Sequence, residues 1–262
     1  MTDAEPAEPP TRREPPPFRR VEVRRVEELT PHMRRVVLDG PELDGLRVDE
    51  PAASVRLLLP PPGRATIVMP AWTGNQFELP TGERAPIRTF TPRHLDAERQ
   101  ELTLDIVVHD VGAATDWVRS TEPGEVVAVS GTGRGYQIDT DASSYLLAGD
   151  ESAIPAIDQL LETMPPGMPI DVHVEINAPD ARLELHAHPN TTTTWHQRIG
   201  DRAHGDALAA TIESIATLPD ALWIAGEAAA VQRLRKHLFG TRGLPRSAAT
   251  VRGYWKHGRS AT

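Results

Sequence analysis

The chain has 262 residues, a formal charge of −9 from 28 Lys and Arg against 37 Asp and Glu, and no cysteine. Lack of cysteine excludes disulfides, thiolate nucleophiles, thiolate zinc sites and cysteine-ligated iron–sulfur clusters, so redox chemistry must come from an organic cofactor or a bound substrate. The acidic balance argues against nucleic-acid binding, no apolar run approaches the roughly 18 residues that span a bilayer, and the length suits two lobes with a core each.

Residues 1–17 hold six prolines (Pro6, Pro9, Pro10, Pro15, Pro16 and Pro17) and no large apolar side chain after Met1, a composition that predicts a disordered tail. Acidic residues and prolines follow Met1 where a secretory leader has a basic and then an apolar stretch, so a cytoplasmic location is expected.

From Phe18 to about Asp141 the period is that of strands. Glu101–Val108 is the clearest, with Leu102, Leu104, Ile106 and Val108 on one face and Glu101, Thr103 and Asp105 on the other. Shorter candidates are Val21–Val26, Met33–Leu38, Ser54–Leu59, Arg88–Arg93 and Val126–Ser130, punctuated by clusters such as Asp39-Gly40-Pro41. With one short helix at Ala113–Arg119, these predict a six-stranded antiparallel barrel over 18–141.

Beyond Asp141 strand and helix alternate. Tyr145–Ala148, Ile170–Ile176 and Ala221–Ala225 read as buried strands. Helical spacing runs through Ile154, Ile157, Leu161 and Met164, over Asp206–Thr217, and through Val231, Leu234 and Leu238. This predicts a Rossmann-like parallel-sheet lobe over 142–262 that takes ligands beyond the carboxyl ends of its strands. From Val231 onward there are eight Lys or Arg (Arg233, Arg235, Lys236, Arg242, Arg246, Arg252, Lys256 and Arg259) and no Asp or Glu, so an anionic ligand or an acidic neighbouring surface is expected near this stretch.

Individual motifs are ambiguous. Arg88-Thr89-Phe90-Thr91-Pro92-Arg93 offers hydroxyls and guanidinium groups to a heterocycle and a phosphate, or is a solvent-facing edge strand. His109-Asp110-Val111-Gly112-Ala113-Ala114-Thr115-Asp116-Trp117 opens a helix with small residues, as a pyrophosphate cradle or an ordinary turn does. Gly131-Thr132-Gly133-Arg134-Gly135 has neither phosphate-loop spacing and reads as a strand exit. Asp150, Glu151 and Ser152 lie at one strand end and Ala225, Gly226 and Glu227 at another, where they flank a nucleotide or simply suit helix starts. Ten histidines include no HExxH, and His186 and His188 beside Pro189 read as a surface loop, so no metal site is expected.

In order along the chain, R-T-F-T-P-R, V-V-H-D-V-G-A-A-T-D-W, L-L-A-G-D-E-S-A-I-P-A-I, L-W-I-A-G-E-A-A-A-V-Q-R-L-R and G-Y-W-K-H-G-R resemble the siderophore-interacting protein family from about Phe18 to Arg259. That family comprises FAD-dependent ferric-siderophore reductases of ferredoxin-reductase-like architecture. The resemblance implies that Arg88, Thr89, Phe90, Thr91 and Arg93 line the flavin and reach its phosphates, with Phe90 where tyrosine is usual. It implies that His109, Asp110, Gly112, Ala113, Ala114 and Thr115 hold the pyrophosphate, with Asp110 and Ala113 where glycine and proline are common.

Asp150, Glu151, Ser152, Ala225, Gly226 and Glu227 would then border the FAD adenine end and the nicotinamide cleft. Lys256, one of two lysines beside 26 arginines, would bind an anionic ferric siderophore with His257 and Arg259 as helpers. The implied donor is NADH or NADPH, or an external ferredoxin. Glu175 at a strand end could take ribose hydroxyls and no basic cluster follows it, Arg182 being the nearest, so NADH is favoured. The alternatives are a flavin reductase with another acceptor and a non-catalytic siderophore-binding or iron-handoff protein.

Overall fold

The computed structural model describes residues 15–61, 64, 66–109 and 112–258; the expected tail up to residue 14, Asp110 and Arg259 lie outside them. Pro15–Pro17, counted with the tail, are held on the sheet, where the Ser130 hydroxyl donates to Pro16 O at 2.5 Å.

The first half folds as β1 (Phe18–Thr30), β2 (Met33–Asp39), β3 (Ser54–Leu58), β4 (Ala71–Trp72), β5 (Phe77–Glu78), β6 (Ile87–Phe90), β7 (Pro92–Asp96), β8 (Glu101–Val107), α1 (Ala113–Ser120) and β9 (Val126–Gly133). Seven strands form an antiparallel sheet in the order β6-β3-β9-β1-β2-β8-β7, and β4 and β5 form a separate hairpin. Seven replace the expected six because Arg88–Arg93 is divided: β6 pairs with β3, β7 pairs with β8, and Thr91 stands between them. Pro92 has no N–H with which to extend the first ladder, so the chain changes partner there. Since β6 and β7 are the outermost strands, that one residue joins the two edges of the sheet.

The core of this lobe is built from Val21, Val36, Leu38, Leu57, Leu102, Leu104 and Val127 with Trp117 and Val118 of α1. Asp105, expected on the polar face of its strand, is instead buried at 8 % exposure. Arg35 on adjacent β2 makes this tolerable by donating through Nε and Nη2 at 2.7 and 2.8 Å, because a buried carboxylate needs a hydrogen-bonded cation.

The second half is β10 (Tyr145–Asp150), α2 (Ile154–Thr163), β11 (Ile170–Ile176), β12 (Thr191–Gln197), α3 (Asp206–Ser214), β13 (Ala221–Glu227), α4 (Ala228–Arg235) and β14 (Ala249–Trp255). Its five strands are all parallel, in the order β12-β11-β10-β13-β14. The inner β10 and β13 are buried throughout, as strands covered on both faces must be. One face packs Tyr145, Leu147, Val172 and Trp223 against α2, and the other packs Leu146, Leu222 and Ile224 against α3 and α4.

The lobes share apolar and polar contacts. Met33, Ala52 and Val107 of the first join the core around α2. Gln159 of α2 accepts from Ala52 N–H at 3.0 Å and donates to Pro92 O at 2.7 Å. Arg93 pairs with Asp158 and with Glu162, the latter at 2.5 Å, and Arg252 of β14 donates to Gly135 O at 2.9 Å.

At the open side of the parallel sheet, His173 Nδ1 and His196 Nε2 lie 2.9 Å apart with stacked rings. Burial holds both below the ordinary histidine value, and each imidazolium would repel the other. Both states are neutral above pH 6.5, whereas below it only the unfolded chain takes up these protons, so stability falls as pH drops toward the depressed folded values. Replacing both residues with Gln is expected to reduce the slope of denaturation free energy between pH 6.5 and 5 by up to about two protons. Urea titrations across that range check this, and an unchanged slope would contradict it.

Candidate functional site

The strand ends of the parallel sheet meet at Asp150. Its Oδ1 accepts from the Ser152 N–H at 3.0 Å and the Ser152 hydroxyl at 2.5 Å, while Oδ2 accepts from Glu227 N–H and Trp255 Nε1, both at 2.8 Å. One carboxylate thus ties the ends of β10, β13 and β14. Gly226 has φ +153°, and a Cβ there would lie 2.6 Å from Asp150 Oδ2, so a side chain at this position would displace the tie.

The neighbouring carboxylates are also used internally. Glu227 caps α4 by accepting from Ala229 N–H at 2.5 Å and Ala230 N–H at 3.2 Å, and accepts from His257 N–H at 3.2 Å. Glu151 accepts from the Asn177 N–H and side-chain amide at 2.6 and 3.0 Å, and burial still raises its pKa. Glu175, expected to reach ribose hydroxyls, is 3 % exposed and accepts from Gly205 N–H at 2.6 Å and Leu208 N–H at 3.0 Å. Burial raises its pKa too, and both its oxygens are engaged in anchoring the start of α3.

Open to the cleft beside these groups are Ser152, Asn177, His109, His204 and Trp255, which line one small pocket with them. The Trp255 ring lies 5.4 Å from that of His109 in the first lobe and 4.9 Å from that of His204, and His204 lies 4.9 Å from His257. Burial first, then the Arg198 charge, depresses the His204 pKa. Four of the five sequence motifs are therefore brought to one seam, and Lys256 stands exposed just beyond it.

Flavin chemistry requires a place for a pyrophosphate, and two features fit one. Arg88 is half-buried, donates to Ile87 O at 2.9 Å, and has its pKa lowered by burial, with no carboxylate among the described residues opposing the shift. Helix α1 begins at Gly112, φ +141°, without a side-chain cap, and a Cβ there would meet nothing within 4 Å. Phe90, Ala113 and Ala114 pack on the same core, which sets these features on one lobe. A cation lacking a carboxylate and amide groups over open space are what an anionic phosphate needs.

The remaining expected residues are placed differently. Thr115 is 2 % exposed and accepts from His109 N–H at 3.1 Å, closing the loop. Thr89 is exposed, and Arg93 is engaged by α2. Much of the basic C-terminal stretch also turns inward: Arg233 pairs with Glu213 at 2.6 Å, Arg235 bonds Val251 O, and Arg242 bonds Ile215 O at 2.7 Å. Asn177 and His204 were not singled out from the sequence; isolated polar residues carry no motif. Among the described residues no cluster of three or more His, Asp or Glu could hold a metal, and no helix is long and apolar enough to cross a membrane.

Residues 22–135 match the family described as the siderophore-interacting FAD-binding domain, and residues 142–258 match the siderophore-interacting protein family. A solved siderophore utilization protein from T. fusca superposes with a TM-score of 0.83 at 31 % identity, covering 95 % of this chain and 96 % of that one. The NADPH-dependent ferric-chelate reductase of Escherichia coli is 35 % identical over 56 % of this chain and 57 % of its own length. The ferric vibriobactin reductase of Vibrio cholerae is 26 % identical over 88 % of this chain and 87 % of its own.

Asp150→Ala is expected to leave the Glu227 N–H and the Trp255 Nε1–H without their acceptor, at about 1–3 kcal/mol for each buried donor. The thermal midpoint should fall by several degrees, whereas Ser152→Ala, which removes one donor and keeps the carboxylate, should lower it far less. Equal midpoints for the two variants in differential scanning calorimetry would contradict the role given to Asp150.

Proposed function

This chain belongs to the siderophore-interacting protein family, and on that footing we propose that it is a ferric-siderophore reductase drawing on NAD(P)H. FAD, when bound, supplies the chemistry: it accepts a hydride from the nicotinamide and delivers electrons to Fe(III) in the chelate. Hard oxygen donors hold Fe(III) better than Fe(II), so reduction loosens the siderophore and frees the metal. The observation that carries the reading is the half-buried Arg88, its charge met by no carboxylate among the described residues, on the same lobe as the uncapped start of α1.

The protein's part is to bind, orient and exclude water. Arg88 with the Ala113 and Ala114 amides holds the pyrophosphate, and Phe90 with Thr89 and Thr91 borders the flavin ring on the lobe spanning 18–141. The lobe spanning 142–262 takes the nucleotide against Ser152 and the wall that Asp150, Glu151, Ala225, Gly226 and Glu227 hold rigid. Trp255, fixed by Asp150 and set against His109, closes the seam between them. Lys256 and His257, exposed beside that seam, attract the anionic chelate, a task for a compact ammonium that no partner among the described residues claims.

Anaerobic stopped-flow spectroscopy tests this with NADH, NADPH or reduced ferredoxin as donor and a panel of ferric siderophores as acceptor. Flavin absorbance should bleach with a nucleotide and return with a siderophore. Arg88→Ala should weaken FAD retention by about tenfold, the loss of one charge-assisted contact of roughly 1.4 kcal/mol. Lys256→Ala should raise KM for anionic chelates several-fold and leave bleaching by nucleotide intact. Bleaching without reoxidation by any chelate would mean another acceptor, and no flavin binding at all would mean an iron-handoff protein.

A further inference from the structure

At the carboxyl end of the second strand in a nucleotide-binding α/β lobe, an acidic side chain that meets the ribose hydroxyls favours NADH, and an arginine that meets a 2′-phosphate favours NADPH. Here the acidic group at that position is Glu175, but it is buried and both its oxygens are held by Gly205 and Leu208 amides. What stands beside the strand end is Arg198, just after β12. Its backbone N–H is bonded to Ile176 O at 2.9 Å, and its Nε donates at 2.8 Å to Asn177 Oδ1, a residue that lines the cleft pocket.

The remaining bonds of Arg198 go from Nη1 to the carbonyls of Gly200 and Arg202, at 3.4 and 3.2 Å. Among the described residues these acceptors are all neutral amide or carbonyl oxygens, so the side chain is positioned while its charge stays available to an anion. That charge is felt within the pocket at His204. Arg202 is exposed in the same loop, where Asp201 is the one carboxylate between residues 198 and 204.

A second observation points to what accompanies the phosphate. Ile199, next to Arg198, is 71 % exposed and is the large hydrophobic side chain left open to solvent among the described residues. An apolar surface next to an arginine matches an adenine face joined to a 2′-phosphorylated ribose. Resting on the reductase reading, we infer that this chain selects NADPH over NADH, with Arg198 binding the 2′-phosphate, Arg202 adding charge and Ile199 lying under the adenine. The expectation of NADH drawn from Glu175 gives way to this, since the carboxylate it relied on is spent inside the fold.

The test is isothermal titration of the flavin-loaded protein with 2′,5′-ADP and with 5′-AMP. The first ligand should bind at least about tenfold more tightly than the second, the value of one charge-assisted phosphate contact. Arg198→Ala should erase that difference with the 5′-AMP affinity unchanged, Arg202→Ala should narrow it, and Ile199→Ser should weaken both ligands alike. Equal binding of the two ligands by the natural protein would overturn the inference, as would failure of both to bind, or an Arg198→Ala variant of native circular dichroism that weakens them equally. Reoxidation of dithionite-reduced flavin by ferric chelate, measured on the same samples without nucleotide, reports on the reductase reading separately.

Discussion

Asp150 ends β10 where three parallel strands run out, and its carboxylate reaches the ends of the other two through donors on Glu227 and Trp255, with Ser152 in the turn that follows. Taking a carboxylate out of water is costly unless it is fully hydrogen-bonded, and four donors at 2.5–3.0 Å meet that condition. The rest of the cleft follows from this tie. Gly226 has to be glycine to let the carboxylate in, Glu227 is set to cap α4, and Trp255 is turned so that its face meets His109 across the lobe boundary.

The boundary itself is held by a different kind of contact. Gln159 grips the backbone of the first lobe at two places, Ala52 and Pro92, which an amide can do because it both accepts and donates. Pro92 is also where the antiparallel sheet changes partner, so the grip falls where the two sheet edges converge. Arg93, next along the chain, adds charged pairs to Asp158 and Glu162 of α2, so the boundary combines ionic and amide contacts.

Much of this was legible in the sequence. Alternation in Glu101–Val108 and the strand–helix succession after Asp141 gave two lobes of the right kinds, since burial on one face or both leaves a period in the side chains. Strand β12 escaped notice because its four threonines carry no apolar alternation, and β14 because it was read only as a motif. Asp150, Glu151, Glu175 and Glu227 show the deeper limit. Acidic residues at strand ends look alike whether they face a ligand or a backbone amide, and only the fold shows that these four are buried and bonded. Arg198 shows the converse: an unremarkable loop residue acquires meaning through Asn177, 21 residues earlier.

The seam is also remote in time. Trp255 is bonded to Asp150 across 105 positions and lies against His109 from still earlier in the chain, and β14, which carries it, is the last strand in sequence. Synthesis proceeds from the amino terminus, so both lobes can collapse around their own cores while the cleft still lacks its closing residue. A nascent chain on the ribosome would hold an incomplete seam until β14 docks, so the cleft is the last part of the fold to be assembled.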